Sequence, residues 1–175
     1  MIIPIRTLGD PVLKSPSKPV ERFDATLQRL VDDMVETMYA APGVGLAAPQ
    51  VGLSMSLFVL DDGETGPMCV ANPVLAGAEG EQVQEEGCLS IPGPFYPTAR
   101  AARIRCAGQD EHGEPIEVVG EGLLARILQH ETDHLRGTLF IDHLDDEGRR
   151  SVLAELRRIE LGLAEPRKRR RQPQE

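Results

Sequence analysis

The chain has 175 residues, of which 41% are hydrophobic and 27% charged, with no Trp, two Tyr and four Phe. This is enough for one well-buried domain and excludes a wholly disordered protein, a collagen or a coiled coil. The net charge is −9, and five bases against one acid in residues 166–175 leave −13 on residues 1–165, so the body is a poor nucleic-acid ligand and no DNA partner is expected.

The N-terminal MIIPIRTLGD lacks the charged-then-apolar order of an export signal, and no apolar run nears the ~20 residues of a membrane span. A cytoplasmic, non-membrane protein is expected. A Pro-rich opening (Pro4, Pro11, Pro16, Pro19) reads as irregular chain. Asp24 then caps a helix with Leu27, Leu30, Val31, Met34, Val35 and Met38 on one face, and Pro42-Gly43 stops it. After the glycine-rich loop Gly43–Gln50, the apolar runs 57–60 and 68–71 read as strands ended by turn residues. Segment 79–89 carries an unusual patch, Glu86-Gly87-Cys88-Leu89-Ser90, without a clear element. Alternation at 102–106 and the apolar Ile116, Val118 and Val119 predict two more strands. One helix is predicted from about Glu121 through Leu135, and another over about Glu147 to Leu161 with Val152, Leu153, Leu156 and Ile159 inward. Strands gathered between an early and a late helix, without βαβ alternation, predict an α+β fold. Residues 1–165 are expected to form a single domain and 166–175 a basic, disordered tail.

The sharpest chemical feature is His130-Glu131-Thr132-Asp133-His134 within the predicted helix. Histidines four apart share one helix face and can grip one cation, with Glu131 placed to handle a proton of activated water. The same spacing also suits two buried structural histidines. A third ligand at the metzincin position is excluded, because that position holds Phe140. Two candidates remain: Glu155 on the last helix, as in a thermolysin-like zinc endopeptidase, or Cys88, whose thiolate suits zinc or ferrous iron. Cys69 and Cys106 sit in strand patterns and read as small core hydrophobes. Asp133 and Glu86 are placed by position to accept the second ring N–H of a ligating histidine.

Gly43-Val44-Gly45-Leu46-Ala47-Ala48-Pro49-Gln50, Glu86-Gly87-Cys88-Leu89-Ser90 and Gln129-His130-Glu131-Thr132-Asp133-His134-Leu135 together resemble the three signature motifs of the peptide deformylases, in the family's order and spacing. The resemblance covers about residues 1–160. It implies an α+β fold in which antiparallel or mixed sheets pack around a central HExxH helix, flanked by N- and C-terminal helices. It further implies removal of the formyl group from N-terminal formyl-methionine of new polypeptides, with release of formate. Cys88, His130 and His134 would hold one divalent metal, Fe²⁺ natively in much of the family, with Zn²⁺, Ni²⁺ or Co²⁺ able to replace it. Glu131 would act as general base and then acid, while the Gln50 amide and Leu89 backbone N–H would stabilise the oxyanion. Val44, Ile127 and Leu123 are expected to line a slot for the methionine side chain, and Gly45 to let an extended peptide approach. The last helix and the basic tail are a candidate ribosome contact. The stretch Gly93-Pro94-Phe95-Tyr96-Pro97-Thr98 departs from the often Arg-containing sequence of many bacterial members. A zinc endopeptidase and a non-catalytic, ribosome-associated metal-binding module are the rival readings.

Overall fold

A computed structural model of the chain describes residues 1–168. Helix α1 spans Ala25–Ala40, and the Asp24 carboxylate accepts the backbone N–H groups of Thr26 and Leu27 at 3.1 and 3.0 Å. These two bonds satisfy donors that a helix start leaves without intrahelical partners. Strands β1 (Gly45–Ala47), β2 (Leu57–Leu60) and β3 (Met68–Glu79) follow. Strands β4 (Gln82–Cys88) and β5 (Ile91–Arg100) make a separate two-stranded hairpin. Strands β6 (Arg103–Gln109) and β7 (Pro115–Glu121) complete a five-stranded sheet of order β1-β2-β3-β6-β7. Helices α2 (Gly122–Leu135) and α3 (Asp146–Glu160) lie within one residue of their predicted ends. The architecture is α+β, and every strand pair in both sheets is antiparallel, so the sheets are not mixed.

The sheet is covered on both faces over β1–β3, as β2 records directly, whereas β6 and β7 expose their other face. Leu57 and Val59 join the cluster of α1 residues Leu27, Val31, Met34 and Met38, while Phe58 and Leu60 join Ala125, Ile127 and Leu128 of α2. Alternate side chains leave a strand on opposite faces, so a continuous apolar run is what a doubly covered strand requires. A third apolar cluster ties the hairpin residues Cys88 and Ile91 to Leu139, Phe140 and Ile141 and to Val152 and Leu156 of α3.

Two elements differ from the sequence expectation. β3 does not end at Ala71 but continues to Glu79, because Asn72 (φ 51°) and Pro73 are absorbed as a bulge between Ala71 and Val74. The Asn72 side chain locks that bulge, accepting from the Val20 N–H at 2.8 Å and donating to the Val20 carbonyl at 2.9 Å. The stretch 91–100 forms β5 despite Pro92, Pro94 and Pro97. A strand paired on only one side tolerates prolines whose missing N–H would have faced outward. The chain also stays seated beyond residue 165. Arg167 bonds the Glu155 carboxylate at 3.1 Å and the Phe95 carbonyl, with its guanidinium 5.9 Å from the Phe95 ring centre. Residues 169–175, which make up most of the expected disordered tail, lie outside the described residues.

Candidate metal centre and active site

Helix α2 presents His130 and His134 one turn apart, and β4 ends on Cys88 opposite them. The two Nε2 atoms are 3.2 Å apart, and the Cys88 Sγ is 3.3 Å from the Nε2 of His134. All three side chains are buried, with ligand atoms within 4.8 Å of one another, and among the described residues they form the one cluster of this kind. Donors at bond lengths of ~2.0 Å for nitrogen and ~2.3 Å for sulfur around a tetrahedral ion would stand roughly 3.3–3.6 Å apart. The observed spacing therefore fits a Cys-His-His metal site with little adjustment. The ring of His130 stacks at 26° on Phe140, with centroids 6.3 Å apart, so the residue excluded as a ligand becomes an apolar wall of the site.

Glu86 orients His130. One carboxylate oxygen accepts from the Nδ1 of His130 at 2.8 Å and from the Nη2 of Arg100 at 2.6 Å, and the other from the Nη1 of Arg126 at 2.7 Å. Burial alone would raise the Glu86 pKa, but His130 and Arg100 outweigh it and hold the carboxyl far below the usual range. Burial also opposes charge on His130, yet Glu86 raises its pKa well above the ordinary value. His134 is pushed well below it by burial and by the charge on His130. A carboxylate behind one ligating ring, fixing which nitrogen faces the ion, is the usual support of such centres. Asp133 does not share this role. Its carboxylate accepts from the Nη1 of Arg100 at 2.6 Å and the Nε2 of His143 at 2.7 Å rather than from His134.

Gln50 occupies a 3-10 turn, Ala48–Val51, and is 1% exposed. Its Oε1 accepts the Ala47 N–H at 2.9 Å, which turns Nε2 toward Ser90 Oγ at 3.1 Å and Cys88 Sγ at 3.6 Å. Leu89 sits at the turn between β4 and β5, with its side chain against the Gly43 backbone. Glu131 is buried, and its carboxylate lies so close to Gly45 that a Cβ there would fall 2.3 Å from Oε1. Only glycine leaves room for that approach. Val44, Leu123 and Ile127 share one apolar cluster.

Three residues weighed in the sequence lie apart from the site. The Glu155 carboxylate pairs with Arg167 and lies outside the Cys88-His130-His134 cluster, which does not favour the thermolysin-like alternative. Cys69 and Cys106 are buried core residues whose thiols burial pushes up to about 12 and about 11. Sequence reasoning missed Ser90, Arg100, Arg126 and His143. Arg126 had a signal, since it lies four residues before His130 on the same helix face, where an arginine needs a buried partner. Arg100 ends a proline-broken strand and had none.

The family model of the polypeptide deformylases matches residues 2–150. A peptide deformylase of Acidothermus cellulolyticus is 52% identical over 158 residues, covering 90% of this chain and 87% of that protein. One from Parafrankia is 51% identical over 159 residues, covering 89% and 86%. The crystal structure of a peptide deformylase from Legionella pneumophila superposes with a TM-score of 0.88 at 43% identity, covering 95% of this chain and all of that one. The Synechococcus elongatus peptide deformylase in complex with actinonin gives 0.83 at 40% identity, covering 93% and 89%. With the three motifs folded onto one buried Cys-His-His cluster, the chain belongs to the peptide deformylase family.

Proposed function

We infer that this protein hydrolyses the formyl amide of N-terminal formyl-methionine peptides, releasing formate and the free amine. The observation that carries the reading is the Cys88-His130-His134 cluster, which offers three donors and has the buried Glu131 carboxylate next to it in sequence. A structural zinc site takes four protein ligands, whereas three protein ligands leave a position for water or substrate. A divalent metal held there would act as a Lewis acid on the carbonyl and on water. Among the metals that accept this donor set, Fe²⁺ is the native ion we propose, with Zn²⁺, Ni²⁺ and Co²⁺ as substitutes.

The chain's own residues supply the remainder. Glu131 takes the proton of the attacking water and passes it to the leaving amine as the C–N bond breaks. The Gln50 Nε2, already turned toward Cys88, and the Leu89 N–H donate to the oxygen as it becomes negative. Val44, Ile127 and Leu123 form the apolar wall for the methionine side chain. β1 is an edge strand of the sheet, so its outer side suits an extended peptide added as a further strand. Nascent chains in the cytoplasm are the proposed substrates, and α3 with the basic C-terminal residues the proposed ribosome contact. Among the described residues no helix is long and apolar enough to cross a membrane.

Formate release from a formyl-Met tripeptide by anaerobically purified protein, with metal quantified on the same sample, tests the reading. Rapid turnover at about one metal per chain is expected. A fully loaded site that releases no formate would overturn it and bring forward a non-catalytic metal-binding module.

A further inference from the structure

The metal donors come from two bodies that share no strand pairing. Cys88 rides on the β4–β5 hairpin, which pairs with no strand of the large sheet, while His130 and His134 ride on α2, packed against that sheet. The apolar cluster around Cys88 is built with Phe140 and α3 and includes no residue of α2. The register of Cys88 against the histidines is therefore set by polar contacts between hairpin and helix, together with the stacking of Phe140 on His130. Beside the bond of His130 to Glu86, those contacts form a stripe on α2 at Arg126, Gln129 and Asp133, which meet Glu86 and Thr98, Ala101 just past β5, and Arg100.

Arg126 is the inner rung. Its Nη1 donates to Glu86 at 2.7 Å, and its Nη2 to the Thr98 carbonyl at 2.9 Å, so one planar guanidinium holds both strands of the hairpin. It is 5% exposed, and the Glu86 it grips is the same carboxylate that orients His130. Gln129 is the middle rung, accepting the Ala101 N–H at 3.0 Å and donating to the Ala101 carbonyl at 3.1 Å. We propose that Arg126 is a positioning residue for the metal centre, clamping the hairpin to α2 so that Cys88 and His130 meet the ion in register. The inference rests on the metal-site reading above. An arginine is needed because a lysine, as a point charge, cannot bridge Glu86 and Thr98 at once.

Cobalt titration of the metal-free full chain tests it, with affinity measured by chelator competition and geometry by the Co²⁺ absorption bands. Thermal stability of the metal-free form is measured alongside. Arg126→Met is expected to weaken Co²⁺ binding roughly 10–100-fold and to shift the visible bands, with Arg126→Lys intermediate. The half-buried Gln129, which touches neither Glu86 nor a ligand, gives a variant that keeps its fold, and Gln129→Ala should lose on the order of 10-fold or less. Wild-type affinity and bands in Arg126→Met and Arg126→Lys, with only a lower melting temperature, would make the clamp merely structural and overturn the proposal. A wild-type chain that binds no Co²⁺ with a thiolate band would instead bring down the metal-site reading, and this inference with it.

Discussion

Replacing Glu131 by Gln keeps the size of the side chain and removes only its capacity to take a proton. Replacing Cys88 by Ser keeps the hairpin end and removes the softest of three converging donors. The two variants should therefore fail differently. Glu131→Gln is expected to retain about one metal per chain while deformylation slows by a factor of about 10²–10⁴. Cys88→Ser should lose both metal and turnover. Metal content and formate release measured on the same preparations check this, and a metal-free Glu131→Gln protein would count against a proton-transfer role. His130 and His134 were legible in the sequence because helical spacing carries its own signal, whereas Cys88 stood beside Glu155 until the resemblance of the three motifs chose it. Ser90, which receives the Gln50 amide, was not legible as a partner. Its role exists only once the 3-10 turn and the hairpin meet, 40 residues apart along the chain.

At the scale of elements, helix ends were read within a residue because periodicity and stop signals lie within the segment itself, whereas the hairpin was missed because its pairing does not. β4 and β5 have weak strand composition, and nothing within either segment indicates that Glu86 lies opposite Tyr96. The same non-local logic governs Asp142, in the 3-10 turn Phe140–His143 that backs the site. Its carboxylate accepts the Leu139 N–H at 2.8 Å, Lys14 at 2.8 Å and Arg149 at 3.2 Å, joining the N-terminal segment, the turn and α3. Burial alone would raise its pKa, but the Leu139 N–H and Lys14 hold it below the ordinary value. A carboxyl depressed in the folded state adds stability above its unfolded pKa of ~3.9, and loses it as pH falls through the folded value. Asp142→Asn should accordingly cost about 1 kcal/mol at pH 7. That gap should close as pH drops below about 4. Denaturant melts of both proteins across this range decide it, and a gap independent of pH would mean that shape rather than charge is what Asp142 contributes.

For the whole molecule, the division into a sheet doubly covered at β1–β3 and a separately anchored hairpin sets how metal removal should act. Over β1–β3 the sheet carries its own apolar layers on both faces, from α1 and from α2. The hairpin instead borrows stability from α3 and from its polar rungs on α2, and a metal held by Cys88, His130 and His134 would add to it. An ion that binds the folded state and not the unfolded one stabilises by RT ln(1 + [L]/Kd), about 2.7 kcal/mol at a hundredfold excess over Kd. In a chain of this length that corresponds to a melting temperature about 5–10 °C lower after chelation. The loss should not be spread evenly. Amide exchange in residues 82–100 should quicken, while β2 and β3, between the two helical layers, keep their protection. Calorimetry and residue-resolved exchange on loaded and chelated protein measure the two effects together. Unchanged melting, or protection lost equally across the five-stranded sheet, would show that the hairpin does not depend on the ion for its place against α2.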